Sequence, residues 1–160
     1  MVIQRLQSLY LIIAIALMAI FPFFPFLELS TPIGEFSISS LQIKMLGEST
    51  LANTALVQPD YSWGMFSLNA LIVIFLGVTL FLYKNIKLQK QLCWINIAMI
   101  ISLFSSLSII ANKLYDGLGG HKVYYNFALF LPIIAIIFIA LAIRRIRTDM
   151  KTLSSYDRIR

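Results

Sequence analysis

Charge is scarce in this chain of 160 residues: Asp, Glu, Lys and Arg together make up 12% of it, and four long apolar runs contain none. The runs lie at about residues 9–27, 65–83, 92–111 and 127–143. An ionisable group at the centre of a bilayer costs at least ~3 kcal/mol, so membrane helices keep one where it relays protons, binds ions or senses voltage. Its absence argues against proton-coupled or ion-coupled transport, though not against a passive pore. Cysteine and histidine are as rare, one of each, Cys93 and His121. A lone cysteine excludes an intrachain disulfide and CxxC-type redox chemistry. Zinc wants three or four converging ligands, so no metal and no cofactor is expected. His121 reads as a solvated loop residue, and Cys93 as a small packed side chain with acylation as the alternative. No paired acid and base or activated nucleophile stands out, which argues against an enzyme.

What the chain does have is apolar mass. It is 59% hydrophobic with a mean hydropathy of +0.85, which would leave a soluble protein of this size too little polar surface to cover itself. The runs are 17 to 20 residues long, or about 26–30 Å of helix, close to the hydrocarbon thickness of a bilayer. They lack the alternation of a transmembrane barrel strand, so helices must satisfy the backbone. The expected fold is an all-α membrane protein, a single domain over 1–160 forming a four-transmembrane-helix bundle with a small β-hairpin-like outer loop.

The net charge of +6 is distributed unevenly. Arg5, Lys84, Lys87, Lys90, Arg144, Arg145, Arg147, Lys151, Arg158 and Arg160 fall on one side of such a bundle, while Lys44, Lys113 and Lys122 fall on the other with five of the seven acidic residues. Ten against three is a positive-inside pattern that predicts cytoplasmic N- and C-termini. Nucleic acid is not an expected partner, since no recognition motif accompanies the charge. Aromatic residues such as Phe21, Phe26, Tyr61, Trp63 and Tyr125 at one boundary, with Tyr83 and Trp94 at the other, fit interfacial anchoring. The first run is not read as a signal peptide: it is long, and Phe21-Pro22-Phe23-Phe24-Pro25-Phe26 replaces the small residues a cleavage site needs. Pro22 and Pro25 are expected to fray or kink its outer end.

The outer loop, 30–64, alternates apolar and polar residues around Phe36 and Ile38 and is punctuated by Pro32, Gly34, Gly47 and Pro59. It predicts a two- or three-stranded cap, with residues 48–55 as an alternative short helix. The link 84–91 makes spans two and three an antiparallel hairpin, and the loop 112–126, with Gly117, Gly119 and Gly120, reads as flexible. Uncharged polar residues lie inside spans two and three: Asn69, Thr79, Asn96, Ser102, Ser105, Ser106 and Ser108. Ala98, Ser102 and Ser106 form a small-residue ridge that marks span three as the central helix, and Ala128, Pro132, Ala135 and Ala142 mark a second close contact with a kink at Pro132. The basic tail 144–160 carries a helical stripe of Ile146, Met150, Leu153 and Tyr156, suited to headgroups, to a partner, or to serving only as a topology anchor.

The opening Met1 to Tyr10 (MVIQRLQSLY), the link Tyr83 to Gln89 (YKNIKLQ), Leu131 to Ala135 (LPIIA), Leu141 to Arg147 (LAIRRIR) and the closing Ser155 to Arg160 (SYDRIR) resemble the small bacterial four-span membrane proteins catalogued as a domain of unknown function. The resemblance implies a multi-pass protein of the bacterial inner membrane and supplies no catalytic residue. The quoted pieces gather at the cytoplasmic side, where Gln4, Arg5, Lys84, Asn85, Lys87, Gln89, Arg144, Arg145, Asp157 and Arg158 would form a basic, amide-rich platform for a partner or for lipid. The leading expectation is a non-enzymatic accessory or scaffold subunit docking on another membrane protein or on its own copies. The alternative is a small pore or carrier for an uncharged solute, lined by the polar residues of span three.

Overall fold

A computed structural model describes residues 2–31, 34–41, 43–46, 60–118 and 122–157. Four helices dominate it: α1 (Val2–Ile20), α2 (Asp60–Phe81), α3 (Ile86–Leu118) and α4 (Phe130–Asp157). Each contains a stretch long and apolar enough to cross a membrane. Between α1 and α2 run three strands, β1 (Pro25–Thr31), β2 (Gly34–Ser39) and β3 (Ile43–Leu46), and a fourth, β4 (Lys122–Tyr125), precedes α4.

The buried side chains of every helix recur at spacings of four and three. On α1 these are Gln7, Leu11, Ala14 and Met18, continued by Phe21 in the turn that follows; on α2, Met65, Asn69, Ile72, Leu76 and Thr79. On α3 they are Gln89, Cys93, Asn96, Ile100, Leu103 and Leu107, and on α4, Leu131, Ala135, Ile139, Ala142 and Ile146, preceded by Ala128 in the turn before it. A mean period of about 3.5 to 3.6 keeps one stripe of each helix on a common axis, the pattern that suits bundles crossing at about 20°. The opposite faces carry exposed Ile12, Ile74, Ile101 and Ile137, as expected where the solvent is lipid tail.

The helices form a ring in which α1 packs on α2 and α4, and α3 on the same two neighbours. The α1–α4 contact is the most extensive, because Ala14, Ala135 and Ala142, all fully buried, let the two backbones approach closely. Span three is therefore not the central helix. Ala98 and Ser102 are exposed and Ser106 is half-buried, so the Ala98–Ser102–Ser106 ridge lies on the outward side of α3, and the small-residue seam belongs to α1 and α4.

Proline sets two boundaries. The first span stops short of residue 27: α1 gives way to a 3-10 turn at Phe21–Phe23, and Phe24 is extended (φ −101°, ψ 141°), as steric conflict with the Pro25 ring requires. Pro25 then opens β1. Pro132 falls in the first turn of α4, where proline's missing N–H is tolerated.

The strands form one antiparallel sheet in the order β3-β2-β1-β4. Leu27 pairs with Ile38 and Leu29 with Phe36, and these four side chains are buried against the bundle end with Phe26. The described strands of the loop 30–64 thus form the expected cap, and part of the glycine-rich loop 112–126 is regular structure. Seven residues of it extend α3 to Leu118, and Lys122–Tyr125 adds the fourth strand, with Val123 opposite Leu29. Pairing with β1 supplies hydrogen bonds that no single-segment signal advertises. Residues 48–55 and His121 lie outside the described residues.

Candidate functional site

Four polar members of the α1, α2 and α3 stripes, Gln7, Thr79, Gln89 and Asn96, collect in the bundle interior near the end that bears the termini. Gln7 of α1 donates through Nε2 to Oε1 of Gln89 on α3, reaching across the ring. Gln89 Nε2 donates to the Thr79 carbonyl of α2 at 3.2 Å. Asn96 Nδ2 donates to Thr79 Oγ1 at 3.1 Å and to the Leu92 carbonyl at 2.9 Å, while the Thr79 hydroxyl donates to Phe75 O at 2.7 Å. All four side chains are buried. Nearer the sheet, Asn69 Nδ2 donates to the Met18 carbonyl at 3.0 Å, joining α2 to α1.

This arrangement links three helices through amides and one hydroxyl, none of which titrates in the physiological range. It can fix register and accept or donate hydrogen bonds, and it offers no acid, base or nucleophile. Two buried acceptors in it, Asn69 Oδ1 and Asn96 Oδ1, have no hydrogen-bond partner among the described residues. Each is suited to an ordered water, since an unmatched buried carbonyl costs free energy. Among the described residues no three His, Cys, Asp or Glu side chains come together as metal ligands would. Leu11, Ala14, Ile72, Leu76, Ile100, Leu103, Ala135 and Ile139 fill the interior between Asn96 and Asn69.

The serines of α3 do not line that interior. Ser102 donates to Met99 O at 2.7 Å, Ser105 to Ile101 O at 3.3 Å and Ser106 to Leu103 O at 2.7 Å. Each closes on its own helix, and Ser102, Ser105 and Ser108 sit on exposed positions. Of the helix-packing residues read from the sequence, Ala135 is fully buried, whereas Ala98 and Ser102 are exposed and Ser106 is half-buried.

The basic platform divides. Asn85, Lys87, Arg144 and Arg145 are exposed together at the end bearing the termini. Gln89 does not belong with them: it is completely buried, because a polar amide one turn into α3 finds its partners inside the ring and not in water. Gln4, Arg5, Lys84, Asp157 and Arg158 have side chains outside the described set. Gln7 is the interior residue that sequence reading passed over. Its signal was its position, as the first member of the 7-11-14-18-21 stripe.

At the opposite end Asn126 joins the sheet to α4. Its N–H donates to Phe26 O at 3.1 Å, its Nδ2 to Glu28 Oε1 at 3.1 Å, and its Oδ1 caps Phe127 N at 2.8 Å. Beside it, α3, α4 and the sheet enclose a lateral cleft of about 470 Å³ whose walls include Phe104, Leu107, Tyr125 and Ile133.

Four apolar helices with a hydrogen-bonded interior seam and a one-ended sheet cap define a multi-pass membrane protein. The chain belongs to the family described as Domain of unknown function (DUF4293), whose profile matches residues 3–159. Comparison with curated proteins finds no match.

Proposed function

We propose that the protein is a non-enzymatic accessory or scaffold subunit of the bacterial inner membrane, with cytoplasmic termini, that docks on another membrane protein through the outward face of α3. The observation that carries this reading is the exposure of Ala98, Ser102 and Ser105. In lipid, small residues and serines gain nothing from facing acyl chains, while they allow close approach and hydrogen bonding at a helix–helix contact. The four-helix interior has its own seam on other residues, so this ridge is left for a partner. The ten-to-three distribution of basic residues supports the orientation. The exposed Asn85, Lys87, Arg144 and Arg145 offer the same partner a cytoplasmic contact. The alternative, a carrier for an uncharged solute lined by the polar residues of α3, would need several copies to enclose the outward-facing serines.

The test is site-specific photo-crosslinking in cells from positions 98 and 102, with positions 12 and 137 on other exposed faces as controls. Docking predicts one discrete adduct from 98 and 102 and none from the controls. Lipid adducts alone at all four positions would contradict it, and flux through liposomes holding the purified chain would favour the carrier.

A further inference from the structure

A second lateral cleft, of about 550 Å³, opens between α3 and α4 at the end bearing the termini. Trp94 and Ile97 line it from α3, and Ala140, Ile143, Arg144, Arg147 and Thr148 from α4. We propose that it binds one anionic glycerophospholipid, its phosphate held by Arg144 and Arg147 and the start of an acyl chain laid along Ile97, Ala140 and Ile143.

Three observations carry this. First, charge and greasiness are separated along the cleft. Arg144 and Arg147 stand one turn apart on the same face, and Ala140 lies seven residues before Arg147, or about 10 Å along the axis. That is the step from a headgroup into the upper acyl region. Second, the depth is right: Trp94 is half exposed at the mouth, and indole rings settle at the interface. Third, among the described residues no carboxylate lines the cleft beside the guanidinium groups. Thr148 contributes a wall, its hydroxyl held by the Arg144 carbonyl at 3.1 Å.

The occupant follows from that chemistry. Guanidinium forks match phosphate oxygens, and a basic pocket between membrane helices suits an anionic headgroup. A zwitterionic lipid would bring a cation towards two arginines with no acceptor for it. A free phosphate would leave Ile97, Ala140 and Ile143 uncovered. This site goes beyond the scaffold reading and stands or falls separately from it, since its charged groups, Arg144 and Arg147, belong to α4, while the scaffold reading rests on Ala98, Ser102 and Ser105 of α3.

The experiment is native mass spectrometry of the full chain in mild detergent, titrated with phosphatidylglycerol or phosphatidylcholine of identical acyl chains. Phosphatidylglycerol should be retained about tenfold better, and R144Q/R147Q should lower its retention about tenfold, to the phosphatidylcholine level. R145Q, an equal change of charge per residue outside the cleft, should change retention less than about twofold. Millimolar inorganic phosphate should not displace the lipid. Equal retention of the two lipids, unchanged retention in the double variant, an equal loss in R145Q, or displacement by phosphate would each overturn the proposal. Both arginines are exposed, so the double variant should keep the wild-type melting temperature. If it does not, W94A must lower retention of both lipids at unchanged melting temperature, and failure to do so also overturns the proposal.

Discussion

Replacing Gln89 by leucine should destabilise the bundle more than its apolar surroundings would suggest, and a second replacement should restore much of the loss. Gln89 makes two hydrogen bonds, to Gln7 and to the Thr79 carbonyl. At an average of ~0.6 kcal/mol for an interhelical bond in a membrane protein, their loss alone is about 1.2 kcal/mol. Q89L also strands the buried Gln7 amide, and an unmatched buried polar group costs ~1–3 kcal/mol. The expected total is therefore about 2–4 kcal/mol. Q7L leaves Gln89 bonded to Thr79 and should cost less, near the lower bound. In Q7L/Q89L no amide is stranded and two leucines fill the space, so the double variant should recover at least about 1 kcal/mol relative to the sum of the singles. Reversible unfolding in mixed micelles measures all three. Additive effects, or a Q89L variant as stable as the wild type, would refute the view that these glutamines act as a pair.

Three further outcomes are expected. A135L inserts three carbons into the α1–α4 seam, where Ala135 is fully buried, and should cost ~1–3 kcal/mol by overpacking, whereas A98L on the exposed ridge should leave the isolated chain's melting temperature unchanged and weaken crosslinking to its partner. N126A removes the Phe127 cap and the Glu28 contact; a loss of ~0.5–2 kcal/mol is expected, with faster hydrogen exchange over Lys122–Tyr125. Cys93 is fully buried, so a membrane-permeant maleimide should label it in the native protein at least about a hundredfold more slowly than in denaturant, as expected if labelling requires local opening worth a few kcal/mol; rapid native labelling would show that the α3 stripe is not packed as described.

Much of this architecture could be read from residue order because a bilayer imposes two simple demands, length and the exclusion of charge. Both are local properties. The ring order was harder, because small residues mark a contact without saying which one. Ala98, Ser102 and Ser106 satisfy the spacing rule as well as Ala128, Ala135 and Ala142 do, and what separates them is the angle each set makes with the buried stripe of its own helix. On α3 that stripe is set by Gln89, Asn96, Ile100 and Leu103, and the serines lie off it. The same angular reading applied to Gln7 would have placed it inside. β4 lay beyond local inspection, since Lys122–Tyr125 becomes a strand by pairing with β1, nearly a hundred residues earlier in the chain. Asn126 illustrates both levels: an asparagine before an apolar run is a readable helix cap, but its bonds to Phe26 and Glu28 exist because the sheet sits over that helix end.

The central claim is that four crossings place the sheet and the chain termini on opposite sides of a bilayer. Cysteine accessibility tests it directly: in a C93A background, intact cells or spheroplasts carrying Y124C or R145C are treated with a membrane-impermeant thiol reagent. The account predicts labelling at position 124 from outside and at position 145 only after the membrane is opened. Labelling of both positions from the same side would contradict it.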